Sequence, residues 1–577
     1  MIDEMKRLTI HGTTSCHTDN AHAESIFPLQ KIPAEILALV LTFAAEFNVF
    51  GPPGLSRSDA LTLSAVCSLW RRLAFSTPGV WTRISVVVSI PFPMPPTLLA
   101  LHYHLELSKD APLELDVDWT RHGGSNVHPL LTLLQDHVSR WSHLTYKVTG
   151  SVANGGIPGH DGYFPQIDFA ASGLPFLRSL EIDATCLSSM RFKTLIGSTS
   201  RKLTALRLRD LHFFLSPITV QSFAPSLIHI THLAIKATST AVLVALKACP
   251  NLISAHFSVP AAVEPCYLRS EYPDVYEDYS SDRDDDDLLE DMETKLRRVT
   301  LPTFFLNEDG NSTKDLEHEL EQAIPFCLPH LQNLTLEVAE AGGAWGQVPF
   351  WSVFRIILAI TCPMHSPTCP SLTSLSVLSY ASKDEENHDD DFTSDDDRRA
   401  GLIPALEYFL DNMPGAPEKL QSLSLRAIPF TQSEFIHLLS LMPNLRELNV
   451  SEAEDGEYED DDKYREKDIF RGGDGTFMQR MNPVACASAA STLLVPKLRH
   501  LGLTVNRDWE DHSFEDMIES RFTEGLVGDL LRSVTLRVIE IEFLDLERLK
   551  KLQSSGLAIS VTSGQWYHQS KEVLRYS

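Results

Sequence analysis

From residue 177 onward one arrangement of apolar and polar positions recurs: apolar-x-x-apolar-x-apolar. It reads "LRSLEI" at 177–182, "LTALRL" at 203–208, "ITHLAI" at 230–235, "LQNLTL" at 331–336, "LTSLSV" at 372–377, "LQSLSL" at 420–425, "LRELNV" at 445–450 and "LRHLGL" at 498–503. Looser copies are "LISAHF" at 252, "LRRVTL" at 296 and "LRSVTL" at 531. The last positions alternate with period two, the pattern of a short strand with one buried face. Between copies, segments such as "TAVLVALKAC" (240–249) and "LIPALEYFLDNM" (402–413) carry apolar residues at helical spacing. A proline, as in "CPNL", "LPHL", "MPNL" or "VPKL", then stops the helix before the next strand. Each strand-plus-helix unit leaves its apolar face uncovered, so neighbours must stack.

Template ends at 182, 208 and 235, and again at 425 and 450, lie 26, 27 and 25 residues apart. That spacing and template resemble a leucine-rich repeat solenoid over 140–562. The resemblance implies an α/β fold of short parallel strands alternating with helices, with a strand-lined concave surface that holds a protein client. Where that family often places Asn or Cys after the strand, this chain has Thr185, Leu211, Ala339, Ile428 and Ala453, so an irregular solenoid is expected. An ordinary α/β domain with parallel strands fits the same pattern. The slots beside the template residues include Arg207, Arg209, Lys236, His256, Glu337 and Arg426. The three arginines lead as client contacts, because a guanidinium binds carboxylates bidentately. The bland alternative for all six is a solvated strand edge.

The N-terminal pattern differs. "LQKIPAEILALVLTFAAEF" places Pro33 where a first helical turn tolerates it and Glu35 where it suits the helix dipole. Ile36, Val40, Phe43 and Phe47 line one stripe, and Leu37, Leu41 and Ala44 a second beside it. After "GPPGLSRSD" a second helix shows Leu61, Ala65 and Leu69 on one stripe and Leu63, Val66, Trp70 and Leu73 on the other. Two such helices carry more apolar surface than they can hide from each other.

The order "IPAEIL", "AVCSLWRRLA", "TPGVW" over 26–82 resembles an F-box, the motif that joins a substrate receptor to the Skp-type adaptor of a cullin-RING ubiquitin ligase. Position by position, Ile32 and Pro33 match its Leu-Pro start. Glu35, Ile36, Leu37 and Val40 fall in its first helix, Val66, Cys67, Trp70 and Leu73 in its second, and Trp81 at its closing aromatic. The resemblance implies that these apolar residues face the adaptor or brace the helices that do. "FNVFGPPGLSRSD" is longer than a minimal F-box loop. "PLELDVDW" (112–119) and "HVSRWSHLTYKV" (137–148) look like the bridge to the repeats in many fungal F-box proteins, and 83–139 is expected as a bridging segment. A plain helical cap over the end of the solenoid would use Trp70 and Trp81 as core instead. Cys67, between Val66 and Trp70 on an apolar face, is expected to be buried, inert packing.

Charge changes the picture in three places. The formal net charge is −28, but 274–293, 384–397 and 452–462 hold 28 acids against Arg283 alone, leaving the rest near −1. Such runs cannot bury enough surface to offset the entropy of ordering, so disordered acidic insertions are expected near 271–293, 383–399 and 451–475. A docking role for basic partners such as histones is the alternative. Residues 1–25 and 563–577 read as tails. The start lacks the apolar core of a signal peptide, no run is long enough for a membrane span, and nine scattered cysteines fit a reducing compartment. A cytoplasmic or nuclear protein is expected.

Chemistry adds little. "FRGGDGTF" (470–477) lacks the lysine of a phosphate-binding loop. Cys362, His365 and Cys369, and His11, Cys16, His17 and His22, lack paired metal-ligand spacing. No cofactor, metal or catalytic residue is expected, and the overall charge disfavours nucleic acid. Three readings stand: a non-catalytic ligase receptor with adaptor, cullin and an unknown protein client as partners; a scaffold independent of any ligase; and an enzyme, for which no polar cluster is found.

Overall fold

The computed structural model describes residues 32–51, 56–88, 94–120, 129–149, 174–184, 202–209, 215, 217–260, 328–339, 353, 356–357, 369–379, 406–407, 409–410, 416–426, 428, 430–452, 476–489, 491–505, 512–523, 530–538, 544–563 and 571–574. The two tails, most of the acidic stretches and the "LRRVTL" copy at 296 lie outside these residues, apart from Lys571–Leu574 and the first residues of the third acidic stretch.

Each described copy of the template forms a strand. The earlier ones are β6 (Ser179–Ala184), β7 (Ala205–Arg209), β8 (His232–Lys236), β9 (Ser254–Pro260) and β10 (Asn333–Ala339). The later ones are β11 (Ser374–Ser379), β12 (Ser422–Arg426), β13 (Glu447–Ser451), β14 (His500–Val505) and β15 (Ser533–Val538). Each strand pairs in parallel with its successor, so like positions meet. Leu180, Leu206, Leu233 and Ala255 form one row, continued through Leu334, Leu375, Leu423, Leu448, Leu501 and Val534. All are buried in one core that also takes in the inward residues of the intervening helices, such as Val242 and Leu246 or Phe435 and Leu439. Burial of each leucine contributes about 1.5–3 kcal/mol, and the in-register rows let neighbouring units share it. On the other face the strand residues are half-buried or exposed, and among the described residues that face is open.

The leading leucine and the proline have a common role. In "CPNL", Leu252 N–H donates to Cys249 O at 3.2 Å, and Leu331, Leu372, Leu445 and Leu498 repeat the bond to Leu328, Cys369, Met442 and Val495. Proline thus occupies the second position of a tight turn, where its fixed φ is preorganised. The next rung is a shared carbonyl: Arg446 O accepts from both Arg499 and His500 N–H, and Gln332 O from Thr373 and Ser374. These bonds tie successive units together where no asparagine stands.

Three departures from the sequence reading follow. The stretch 83–139 is no separate bridge: β3 (Arg83–Val88) and β4 (Leu113–Thr120) pair in parallel and continue through β5 (Trp141–Thr149) into β6. "RISVVV" alternates buried and half-buried like the later strands, lacking only the leading leucine. Second, β9 pairs directly with β10, and the "LRRVTL" copy expected between them lies outside the described residues. Third, β16 (Ala558–Ser563) extends the parallel run and β17 (Lys571–Leu574) returns antiparallel within the expected C-terminal tail. The fold is thus mixed α/β: a small helical N-terminal region and a long, open sheet whose fourteen strands β3 to β16 are all parallel.

Candidate functional site

The N-terminal helices are α1 (Ala34–Ala44), α2 (Asp59–Ala65) and α3 (Ser68–Ser76). Pro33 precedes α1 in extended conformation, and its carbonyl accepts from both Ile36 and Leu37 N–H at 3.0 and 3.1 Å. Ser58 caps α2 by accepting from Leu61 N–H at 3.1 Å. The expected single second helix is broken: Cys67 is extended, and its sulfur caps α3 by accepting from Trp70 N–H at 3.5 Å. Cys67 is therefore exposed rather than buried, which overturns its reading as packing. A Cys-Ser pair offers side-chain acceptors that compete with helical continuation, which is the physical reason for the break.

The first stripe of α1 is outside, and of the second Leu37 and Leu41 are inside while Ala44 is exposed. Leu37 and Leu41 are buried, and Leu41 joins Ala45, Ala60, Ala74, Val80 and Trp81 in a small core, with Trp70 and Leu73 partly buried against it. Trp81 is fully buried, donates from Nε1 to Ala74 O at 2.8 Å and stacks on Phe75. Leu37 and Trp81 therefore brace the domain and cannot themselves touch a partner. Gly79 lies so close to α1 that a Cβ would sit 3.2 Å from Thr42 Cγ2, which explains the glycine of "TPGVW".

On the outer side Ile36, Leu39, Val40, Phe43 and Phe47 are exposed, Phe43 to 68%, joined by Ile32 and by Val66 at the break before α3. A folded domain rarely leaves so many large side chains in water on one helix without a use for them. Of the expected adaptor residues the structure places Ile32, Pro33, Ile36, Val40, Val66 and Cys67 at the surface. Leu39 and Phe43 were not among those residues; they complete the same face, and Phe43 already stood in the outer stripe at helical spacing from Ile36 and Val40.

The long loop between α1 and α2 fastens this domain to the sheet. β1 (Asn48–Phe50) pairs antiparallel with β2 (Arg57–Ser58) and parallel with β3. Asn48 is fully buried; its Nδ2 donates to Arg83 O at 3.1 Å, and its Oδ1 accepts from Ser58 Oγ at 2.8 Å and Ala60 N–H at 3.2 Å. His104, on α4 (Met94–Leu107), lies against Ser58 Oγ at 2.9 Å and edge-on to Phe50 and Trp81. Burial pushes the imidazole down to about 4, only partly opposed by its hydrogen bond with Ala100 O. Arg57 bonds Asp59 at 2.8 Å and holds that carboxyl below its usual value, while Asp59 also accepts from Phe47 N–H.

On the open face of the sheet the expected client residues partly satisfy one another. Arg207 reaches Glu181 on the neighbouring strand at 3.2 Å, and His256 meets Glu337 at 2.6 Å. Lys236 and Arg426 are half-buried on the same face, and Arg209 lies on β7. These contacts leave Arg207 and His256 as parts of cross-strand pairs rather than open anchors. Cys369 is buried in the core, whereas Cys362 and His365 lie outside the described residues, as do His11, Cys16, His17 and His22. Among the described residues no helix is long and apolar enough to cross a membrane, and no group of three His, Cys, Asp or Glu could hold a metal.

No curated protein matches the chain. The F-box-like family matches residues 29–86, spanning the three helices, the Trp81 turn and the first part of β3. With its capped helices, its core around Trp81 and its uncovered apolar face, the N-terminal region at 29–86 is an F-box-like domain.

Proposed function

We propose that the protein is the substrate-recognition subunit of a Skp/cullin/F-box ubiquitin ligase. The apolar face of α1 with Val66 binds the Skp-type adaptor, and the open face of the sheet holds a protein client. The exposed row Ile36, Leu39, Val40 and Phe43 on an F-box-like domain carries this reading. The sheet is read as a leucine-rich repeat solenoid, supported by the in-register template leucines and the repeated proline turn. The chain's own role is non-catalytic: it brings a client to ligase subunits that perform the transfer, inside the cytoplasm or nucleus. β1 lies beside β3, so an adaptor seated on α1 is held in fixed relation to the client face.

The test is capture of a Skp-type adaptor and cullin by the full chain and by Ile36→Asp. Ile36 is half exposed, so the charge leaves the fold intact while placing a carboxylate in the interface. Capture by the unmodified chain and loss in the variant, at an unchanged melting temperature, is expected. Absence of capture by the unmodified chain would leave a scaffold independent of the ligase.

A further inference from the structure

At the N-terminal ends of β10 to β14 the sheet carries a groove of about 440 Å³ on its rim. Its composition changes from one end to the other. Ser374, Gln421 and Ser422 supply neutral hydrogen-bonding groups at one end, and Arg446 and Arg499 bring positive charge, with His500 beside them, at the other. The arginines occupy the same position in successive units. Arg446 O accepts from Arg499 N–H at 2.8 Å and Arg499 O from Arg532 N–H at 2.7 Å, so three arginine backbones follow one another at strand spacing, about 4.8 Å per step. Arg446 and Arg532 are exposed, and neither makes an ion pair among the described residues. Glu447 also lines the groove, with Oε1 accepting from Asn449 Nδ2 at 3.1 Å.

Arg446 and Arg532, exposed and of like sign, offer guanidinium forks to an anionic ligand that neutralises both. Five strands span about 19 Å, the length of roughly six extended residues. We infer that this groove, continued by the exposed Arg532 just beyond it, is a binding site for an extended acidic peptide segment of a client, with neutral polar residues over β11 and β12 and carboxylates over Arg446 and Arg532. Glu447 disfavours continuous acid along the whole segment. The site presupposes the client-holding role proposed for the sheet and needs nothing from the apolar face of α1.

The test is fluorescence anisotropy with the full chain and a labelled hexapeptide of three neutral polar residues followed by three glutamates. Its all-glutamine counterpart and a phosphoserine version run beside it. Binding of the glutamate peptide is expected, with at least a tenfold loss in Arg446→Glu/Arg532→Glu, a comparable loss when salt rises from about 0.05 to 0.3 M, and no binding of the glutamine peptide. A parallel variant replaces the acids of 384–397 and 452–462 by their amides, because the chain's own carboxylates compete for the same cations. Binding that emerges only in this variant supports the site. Failure of both proteins to bind, equal binding by the charge-reversed variant at an unchanged melting temperature, or equal binding of the glutamine peptide overturns the proposal. A more than tenfold preference for phosphoserine overturns the choice of carboxylate. Loss of adaptor capture in Ile36→Asp moves none of these readings, so failure of the groove and failure of the ligase reading are separable.

Discussion

His104 should make the junction between the F-box-like domain and the sheet sensitive to acid. In the unfolded chain the imidazole titrates near its ordinary value of 6.5, whereas burial against Phe50 and Trp81 pushes it down to about 4 in the fold. Between those two values the unfolded chain binds a proton that the folded chain refuses. The stability held by neutral His104 is therefore complete above the unfolded value and is lost as the pH falls toward the folded one. At about 1.4 kcal/mol per pH unit the full effect is about 3 kcal/mol, of which about 2 kcal/mol is gone by pH 5. Urea unfolding of the full chain and of His104→Gln, followed by tryptophan fluorescence from about pH 7.5 to 5, reads this directly. Carboxylates titrate alike in both proteins and cancel in the difference. The unmodified chain should lose about 2 kcal/mol more than the variant over that range. Parallel loss in the two proteins would refute the buried neutral imidazole.

Other expectations follow from burial. Phe43→Ala should leave the melting temperature unchanged, since the ring is 68% exposed, yet weaken adaptor binding by about 2–3 kcal/mol, measured by calorimetric titration. Leu41→Ala, in the same helix but 1% exposed, should instead destabilise the domain by about 3 kcal/mol in urea unfolding. Arg521 is buried and donates to the carbonyls of Met481, Leu494 and Val495, so Arg521→Met should cost about 3 kcal/mol by stranding three acceptors, seen as an earlier unfolding transition. Mass-spectrometric mapping after brief thiol labelling of the native protein should find Cys67 modified and Cys249, Cys369 and Cys486 protected; burial pushes the Cys249 thiol up to about 12.

Local periodicity made the repeated strands readable, because a single six-residue template sets both the buried row and the turn before it. The same rule missed β3 to β5, where the alternation persists without the leading leucine and proline. In α1 the two stripes were legible, but which of them faced water depended on Trp81 and Ala74, brought in from elsewhere in the chain. Cys67 was misjudged because helical spacing on both sides masked a cap. Cross-strand pairs such as Arg207 with Glu181 and His256 with Glu337 join residues 26 and 81 apart, so no local pattern announces them. The loop that looked superfluous proved to be the attachment: Asn48 satisfies four partners, on Ser58, Ala60, Val80 and Arg83, all of them later in the sequence.

Hydrogen exchange of the full chain with and without a purified Skp-type adaptor tests the central claim most directly. The account predicts slowed exchange confined to Ala34–Ala44 and the stretch from Val66 to Trp70, with the strands of the sheet unchanged. Unaltered exchange at the exposed face of α1 under saturating adaptor, or protection falling on the sheet instead, would contradict it.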